Sequence, residues 1–559
     1  MTNSIPEFET DSNCFLIIGS NTSEGHPLIA TRVLRAKQRG AKVIVLDPRK
    51  NQIGHWADVF YTFRPGSDVA LFNGLLNIII TEGLADQAFI AERTENFEEM
   101  KALVAEFPAE RVADLTGVPV EGLYTVARLY ATQKPAAILY AMGITQHTTG
   151  VDNVKSVANL AMLTGNLGIP GGGVNPLRGQ NNVQGSCDMG GLPNVFPGYQ
   201  PVTNPETIAK FSKAWSSSLP TPNSPLSNKI GLTVTEMISA AGEGKIRALY
   251  VMAENPMLSE ADINHTRHCL EKTEFLIVQD IFLTETAQLA HVVLPGASFA
   301  EKDGTFTNSD RRVQRVRRAV RPVGDSWPDW EIICHLAGKM GAGGFDFVSP
   351  QAVMAEVAQL TPSYGGITYE RLEELGGLQW PCPTTEHPGT PYLHKNRFSR
   401  GLGHFFAVPF KEPAELPDQD YPFTLTTGRI MFHYHTGTMT RRSKKLDSEA
   451  RQAYLELHPD DAQKIGLNGS RRVRVSSRRG QIELNVRVTE RIKPGVVFIP
   501  FHFAEAAANV LTNLAIDPIA KIPEFKVCAV RVEALSGTEH RGGTDHRSGE
   551  SERRTRRDE

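Results

Sequence analysis

The stretch with the densest chemical potential runs from Leu163 to Gln200, LTGNLGIPGGGVNPLRGQNNVQGSCDMGGLPNVFPGYQ. It carries ten glycines, a single arginine, Arg178, and the amides Gln180, Asn181, Asn182 and Gln184. Glycine lets a backbone approach a ligand closely, and a buried guanidinium offers a rigid fork for a carboxylate or another small anion. The same composition also describes a long irregular loop whose amides satisfy its own backbone. Cys187 has no histidine or other base at definable spacing, which favours a packed thiol over a nucleophile or metal ligand. A second cluster, GRIMFHYH at 428–435, groups Arg429, His433 and His435. Alternation on a strand would put both histidines on one face, suited to an anionic ligand or, with a further ligand, a metal. Asp47 and Asp280 each end a predicted strand, where a carboxylate takes ribose hydroxyls or a base edge, or only caps its turn. The turn GSNTSEGH at 19–26 lacks both the G-x-G-x-x-G fingerprint and a P-loop lysine, which disfavours ordinary NAD or ATP binding.

These residues need elements to hold them. CFLIIG (14–19), a polar turn, LIATRVLRAKQRG and KVIVLD read as strand, helix and strand, with Leu28, Ile29, Ala30, Val33 and Leu34 predicted on one buried helix face and Gly40 as its stop. Leu123, Val126, Ala127 and Tyr130 form another helical stripe, and AAILYAMG (136–143) leads into a helix over 153–165. The alternation is that of a parallel α/β sheet. A comparable unit recurs near 245, with AEN at 253–255 in the place of GSN at 19–21 and LIVQD at 276–280 in the place of VIVLD at 43–47. From Phe423 onward the segments FTLTTGR, RRVRVSSRRGQIELNVRV and GVVFIPF are β-branched, and RRG at 478–480 marks a hairpin.

The fold class expected is therefore α/β, with two pseudo-related doubly wound parallel-sheet domains and a barrel-like β domain at the C-terminal end. The expected divisions are 1–180, 181–330, a mixed connecting region 331–415, the barrel 416–535 and a disordered tail 536–559. Residues 216–229 read as an exposed loop, and the tail has no apolar residue after Leu535, so it lacks the means to pack.

With 59 basic against 62 acidic residues the net charge is −3, which argues against a globally basic nucleic-acid binder. The apolar run at 69–80 is too short for a bilayer span, and no secretory signal opens the sequence, so a cytoplasmic location is expected. Six cysteines lie no closer than 48 residues apart, which excludes compact cluster or zinc spacings within this sequence.

NPLRGQNNVQGSCDMG (175–190) and PNVFPGYQ (193–200) resemble the signature of catalytic alpha subunits of molybdenum or tungsten formate dehydrogenases, within the bis-molybdopterin guanine dinucleotide oxidoreductases. VLDPRK (45–50), MGITQ (142–146), AMLTGNLG (161–168), VQDIFLTETA (278–287), EKDGTFTN (301–308) and PEFKVCAVRV (523–532) extend the likeness over about 13–534. The resemblance implies two-electron oxidation of formate to carbon dioxide, or the reverse, with Arg178 orienting formate and Gln180 touching a pterin. It implies that Asn21, Glu24, Asp47, Arg49, Gly66, Met142 and Gln146 hold one guanine dinucleotide. Asn255, Ser259, Gln279 and Asp280 would hold the second, and Arg429, His433, His435, Phe501 and Asn509 would close over both from the barrel.

Full-length members of that family carry, ahead of the matching region, a [4Fe–4S] segment and a cysteine or selenocysteine followed by histidine. The expectation is that this chain alone has no competent metal centre, and that its partners are an electron-accepting iron–sulfur or flavin subunit or a polypeptide bearing that segment. Competing readings are a nitrate reductase-like enzyme, against which the RGQNNVQG loop argues, and a catalytically silent scaffold, against which the retained Arg178 argues.

Overall fold

The computed structural model describes residues 1–215 and 226–535. Strand β1 (Cys14–Ile18) is buried at every position. Its alternate side chains enter two cores: Cys14, Leu16 and Ile18 meet the helices Asp68–Thr81, Val120–Thr132 and Gly150–Leu163, while Phe15 and Ile17 meet the helix Pro27–Gln38. An uninterrupted apolar strand is what a parallel sheet covered on both faces requires. The other strands are β2 (Lys42–Leu46), β3 (Val59–Tyr61), β4 (Ala136–Tyr140) and β5 (Val174–Pro176), in the spatial order β3-β2-β1-β4-β5, all parallel. In the helix Pro27–Gln38, Ile29, Ala30 and Val33 face inward as expected, joined by Ala36, with Leu34 partly buried beside them. Leu28 corrects the expectation: it is 81% exposed, because one residue of rotation, about 100° at 3.6 residues per turn, carries it off the stripe set by Ile29 and Val33.

A second parallel sheet, β6 (Ala248–Met252), β7 (Phe275–Asp280) and β8 (Val292–Pro295), has the order β8-β7-β6 and so repeats the run β3-β2-β1 of the first. One face packs on Met257, Leu258, Ile263 and Leu270, and the other leaves Tyr250, Met252 and Phe275 exposed. Part of the connecting region belongs structurally to the first sheet's core: Phe398 and Phe405 are buried there, and Asn73 Nδ2 donates to the Val408 carbonyl at 2.9 Å.

The C-terminal strands β9 (Phe423–Gly428), β10 (Tyr454–Leu457), β11 (Arg472–Ser476), β12 (Gln481–Val488), β13 (Val496–Pro500) and β14 (Cys528–Ala534) form a closed barrel in the order β9-β13-β10-β12-β11-β14. Leu425, Leu455, Val473, Val475, Val497, Ile499 and Val530 fill it. The RRG turn joins the antiparallel pair β11 and β12 as read. Residues 216–225 of the predicted loop and the tail 536–559 lie outside the described residues.

Candidate cofactor cavity and arginine clamp

Strands β1, β2 and β4 end in register, Ile18 standing beside both Leu46 and Tyr140. The connections from β1 and β4 run to opposite edges of the sheet, and ligands of open α/β sheets settle outside the carboxyl ends at such a reversal. The approach there is close: Gly19 has φ +54°, and a Cβ on Gly143 would sit 2.5 Å from the Gly19 carbonyl oxygen. The barrel roofs this crevice. Because β9 and β13 bring Gly428 opposite Pro500, Arg429 and Phe501 leave the barrel side by side. The resulting cavity, about 960 Å³ with its mouth included, is bounded by Asn21, Asp47, Arg49, Met142, Gln146 and Gln180 from below and by Arg429, His435, Phe501 and Lys526 from the barrel.

Its electrostatics are unbalanced. Burial pushes the Asp47 carboxyl up to about 6, although the Arg49 backbone N–H donates to it and Arg49 and Lys526 are near. Burial, then the charge of Arg429, takes the Lys526 ammonium down to about 7, and its Nζ donates to the Thr427 carbonyl at 2.8 Å. The same two causes bring His435 down to about 4, so its imidazole is neutral. Arg429 Nη1 donates to the Gly179 carbonyl at 3.4 Å, and a Cβ at residue 179 would meet Arg429 Nη2 at 2.2 Å. Several buried polar atoms have no partner: both amide atoms of Asn21, Nδ1 of His26, both carboxylate oxygens of Asp68 and Oδ1 of Asn509. Buried polar groups are ordinarily satisfied, and of these Asn21 and His26 line the cavity, where a polar ligand would complete them.

Arg178 lies between the cavity-lining residues Leu177 and Gly179. Its carbonyl accepts from His26 Nε2 at 2.7 Å, and its side chain turns into the amide loop, where Nε donates to Gln184 Oε1 at 3.2 Å. Among the described residues nothing accepts from its two Nη groups, and the side chain is half-buried rather than enclosed.

The other expected residues divide. Arg49 reaches the cavity wall, but Nε and Nη2 form a fork on Glu456 at 2.5 and 2.7 Å and its guanidinium lies over the Phe498 ring at 4.3 Å. Glu24 faces Arg491 at 3.7 Å, and Gly66, with φ +85°, packs on Pro413 and Val527. The two histidines of 428–435 do not share a strand face, which corrects that expectation. The ladder of β9 ends at Gly428, where β13 also ends, and the chain then turns: His433 is buried with Nε2 donating to the Ala450 carbonyl at 2.7 Å, while His435 takes φ +48° and lines the cavity. Asn255, Ser259, Gln279 and Asp280 sit at the carboxyl ends of β6 and β7, away from the cavity. Asn255 pairs with Glu285 at 2.9 Å, Gln279 with Asp329 at 2.6 Å, and Asp280 accepts from the Ile281 N–H at 2.7 Å. Asn509 reaches this lobe from the barrel, donating to the Leu258 and Ser259 carbonyls. Sequence reasoning missed His26, Asp68 and Lys526; of these only Lys526, a lone cation inside the apolar PEFKVCAV, left a signal.

The strand ends of the first sheet facing a barrel across a cationic, amide-lined cavity, in a chain that carries a second, related sheet, define a protein that holds a large anionic dinucleotide cofactor. Residues 1–339 match the family model "Molybdopterin oxidoreductase" and residues 423–529 the model "Molydopterin dinucleotide binding domain". The chain belongs to the molybdopterin oxidoreductase family. It is 53% identical over 538 residues, 96% of this chain and 78% of the relative, to the F420-dependent formate dehydrogenase 1 subunit alpha of Methanococcus maripaludis. It is 41% identical to formate dehydrogenase H of Escherichia coli, over 96% of this chain and 74% of that protein. Acetylene hydratase from Pelobacter acetylenicus shares the fold, with a TM-score of 0.73 at 21% identity over 95% of this chain and 79% of that one.

The cofactor of this family, a bis-molybdopterin guanine dinucleotide carrying molybdenum or tungsten, suits the residues present. Arg429 and Lys526 would face its phosphates, Asp47 would offer an acceptor to ribose hydroxyls, and Asn21 would offer an unpaired amide to a base or pterin edge.

Proposed function

We propose that this chain is the catalytic subunit of a formate dehydrogenase, interconverting formate with carbon dioxide, a proton and two electrons. The observation that carries the reading is the likeness over 96% of the chain to formate dehydrogenase alpha subunits. Arg178 gives that reading a physical basis. Formate offers a carboxylate and one C–H bond, so its site needs a cationic clamp for the anion and an electron sink facing the hydrogen. The metal of the bound cofactor supplies the sink. The chain supplies orientation: the Arg178 guanidinium is held at Nε and keeps two Nη groups available for the carboxylate oxygens. His26 fixes the backbone behind it by donating to the Arg178 carbonyl.

The electron pair leaves for a partner subunit bearing iron–sulfur or flavin centres; several relatives near half identity are F420-dependent, which makes F420 the proposed final acceptor. The test is formate-dependent reduction of a viologen dye by the cofactor-loaded enzyme isolated with its native partners. Turnover with formate and none with nitrate is expected. Loaded enzyme inert toward formate overturns the reading in favour of a scaffold or another reductase.

A further inference from the structure

Behind the clamp lies a carboxylate that no part of the mechanism above uses. Asp188 is 1% exposed, and the described residues put no cation in contact with it. Four neutral donors converge on it instead: Gln184 Nε2 at 2.8 Å and Tyr199 OH at 2.8 Å on Oδ1, Tyr364 OH at 2.5 Å and Trp380 Nε1 at 2.7 Å on Oδ2. These come from three separate parts of the chain, and Tyr199 holds φ +58°, an uncommon backbone for a bulky residue, while its hydroxyl stays in the network. Burying a carboxyl costs several kcal/mol unless it is well bonded, and here each of its two oxygens accepts from two donors.

The arrangement has a direction. An ionised carboxylate only accepts, so the Gln184 amide must present its NH2 to Asp188. Its carbonyl oxygen then necessarily faces the other way, and that oxygen takes Arg178 Nε–H at 3.2 Å. A direct Asp–Arg fork would tie up the guanidinium edge that an incoming anion needs. Interposing an amide holds the guanidinium at one nitrogen, leaves both Nη groups open and keeps the compensating charge one side chain away.

We propose that Asp188, acting through Gln184, is the positioning residue of the substrate clamp: it fixes the amide's orientation and thereby aims Arg178 at a small monoanionic carboxylate. This rests on the formate reading above only for the identity of that carboxylate.

The test uses the loaded holoenzyme with its partners and compares Asp188→Asn with the parent. An asparagine can donate as well as accept, so the Gln184 amide is free to turn its NH2 toward Arg178 and lose the Nε contact. KM for formate should then rise about tenfold while kcat changes by less than about threefold, the signature of lost anion orientation. A crystal structure of the variant should show the Arg178 guanidinium displaced or in more than one rotamer. A more conservative substitution, Tyr364→Phe, removes one of the four donors and should shift KM in the same direction by a smaller factor. If Asp188→Asn does not fold, Gln184→Met, which leaves Asp188 in place but removes the amide, decides on the same two readouts. An unchanged KM with Arg178 in its parental position overturns the proposal while leaving the formate reading intact. A parent enzyme inert toward formate overturns the formate reading, and the crystallographic comparison then still decides whether Asp188 positions Arg178.

Discussion

At the residue scale two arginines show how different a guanidinium's work can be. Arg178 is held at one nitrogen and open at two, whereas Arg49 is closed on Glu456 with both side chains nearly inaccessible, at 6% and 2% exposure. Arg178→Ala in the loaded enzyme should lower kcat/KM for formate on the order of 10²-fold, about 3 kcal/mol of charge-assisted bonding, and Arg178→Lys should recover only part because a point charge does not reproduce the fork. Steady-state kinetics at saturating dye measure this. Glu456→Ala should instead destabilise the fold by about 3–5 kcal/mol by stranding the Arg49 charge, and the double variant Arg49→Met, Glu456→Leu should be less damaging than that single change. Denaturant titration of the three proteins tests it. The sequence showed Arg49 as part of VLDPRK and, by resemblance, as a cofactor contact, but not its ion pair; Glu456 is 407 residues away, a pairing that local spacing has no means to express. His26 and Asp68 were illegible too, since what marks them, an unpaired ring Nδ1 and an unbonded carboxyl, exists only after folding.

Elements were far more legible, because their signals are local. β1, β2 and β4 appear in the sequence as apolar runs bounded by turn residues, and the register that aligns their ends follows from pairing them in parallel. Asp47 and Asp280 were readable as strand-end carboxylates on this basis. The barrel strands were readable from β-branched residues, but the point where β9 stops was not, and the two histidines after it were misassigned to a common face. The close approach of Gly19 and Gly143 is the element-scale feature that opens the crevice. Gly143→Ala would drive a methyl to 2.5 Å from the Gly19 carbonyl, so the turn following β4 must retreat from β1. The expected outcome is a destabilisation of about 1–3 kcal/mol together with reduced cofactor retention, measured by thermal unfolding and by molybdenum or tungsten content per chain.

The interior of the whole molecule holds ionisable groups whose charged forms burial disfavours. Burial holds the Asp68 carboxyl up at about 7 against an ordinary 3.8, with Asp47 adding to the rise, and His147 stands 3.8 Å away with its own proton affinity pushed down to about 4. A carboxyl with a raised folded value binds more protons folded than unfolded between those limits. Its contribution to stability is therefore complete below 3.8 and is lost as pH climbs to about 7. Asp68→Asn lacks that dependence, so the melting temperature of the variant relative to the parent, both without cofactor, should rise across this interval and level off above it. A constant difference from pH 4 to 7 would show that Asp68 is not buried as described. No helix among the described residues is long and apolar enough to cross a membrane, and none of these measurements calls for a bilayer.

The cavity draws its floor from near residue 19 and its last wall from residue 526 of a 559-residue chain. Neither the α/β lobe nor the barrel alone can enclose the chamber, so it exists only once both have been synthesised and docked. Enclosure of a prosthetic group there consequently waits on the barrel, and a premature stop ahead of Lys526 would remove part of the chamber's wall while leaving the strands of the first α/β sheet in place.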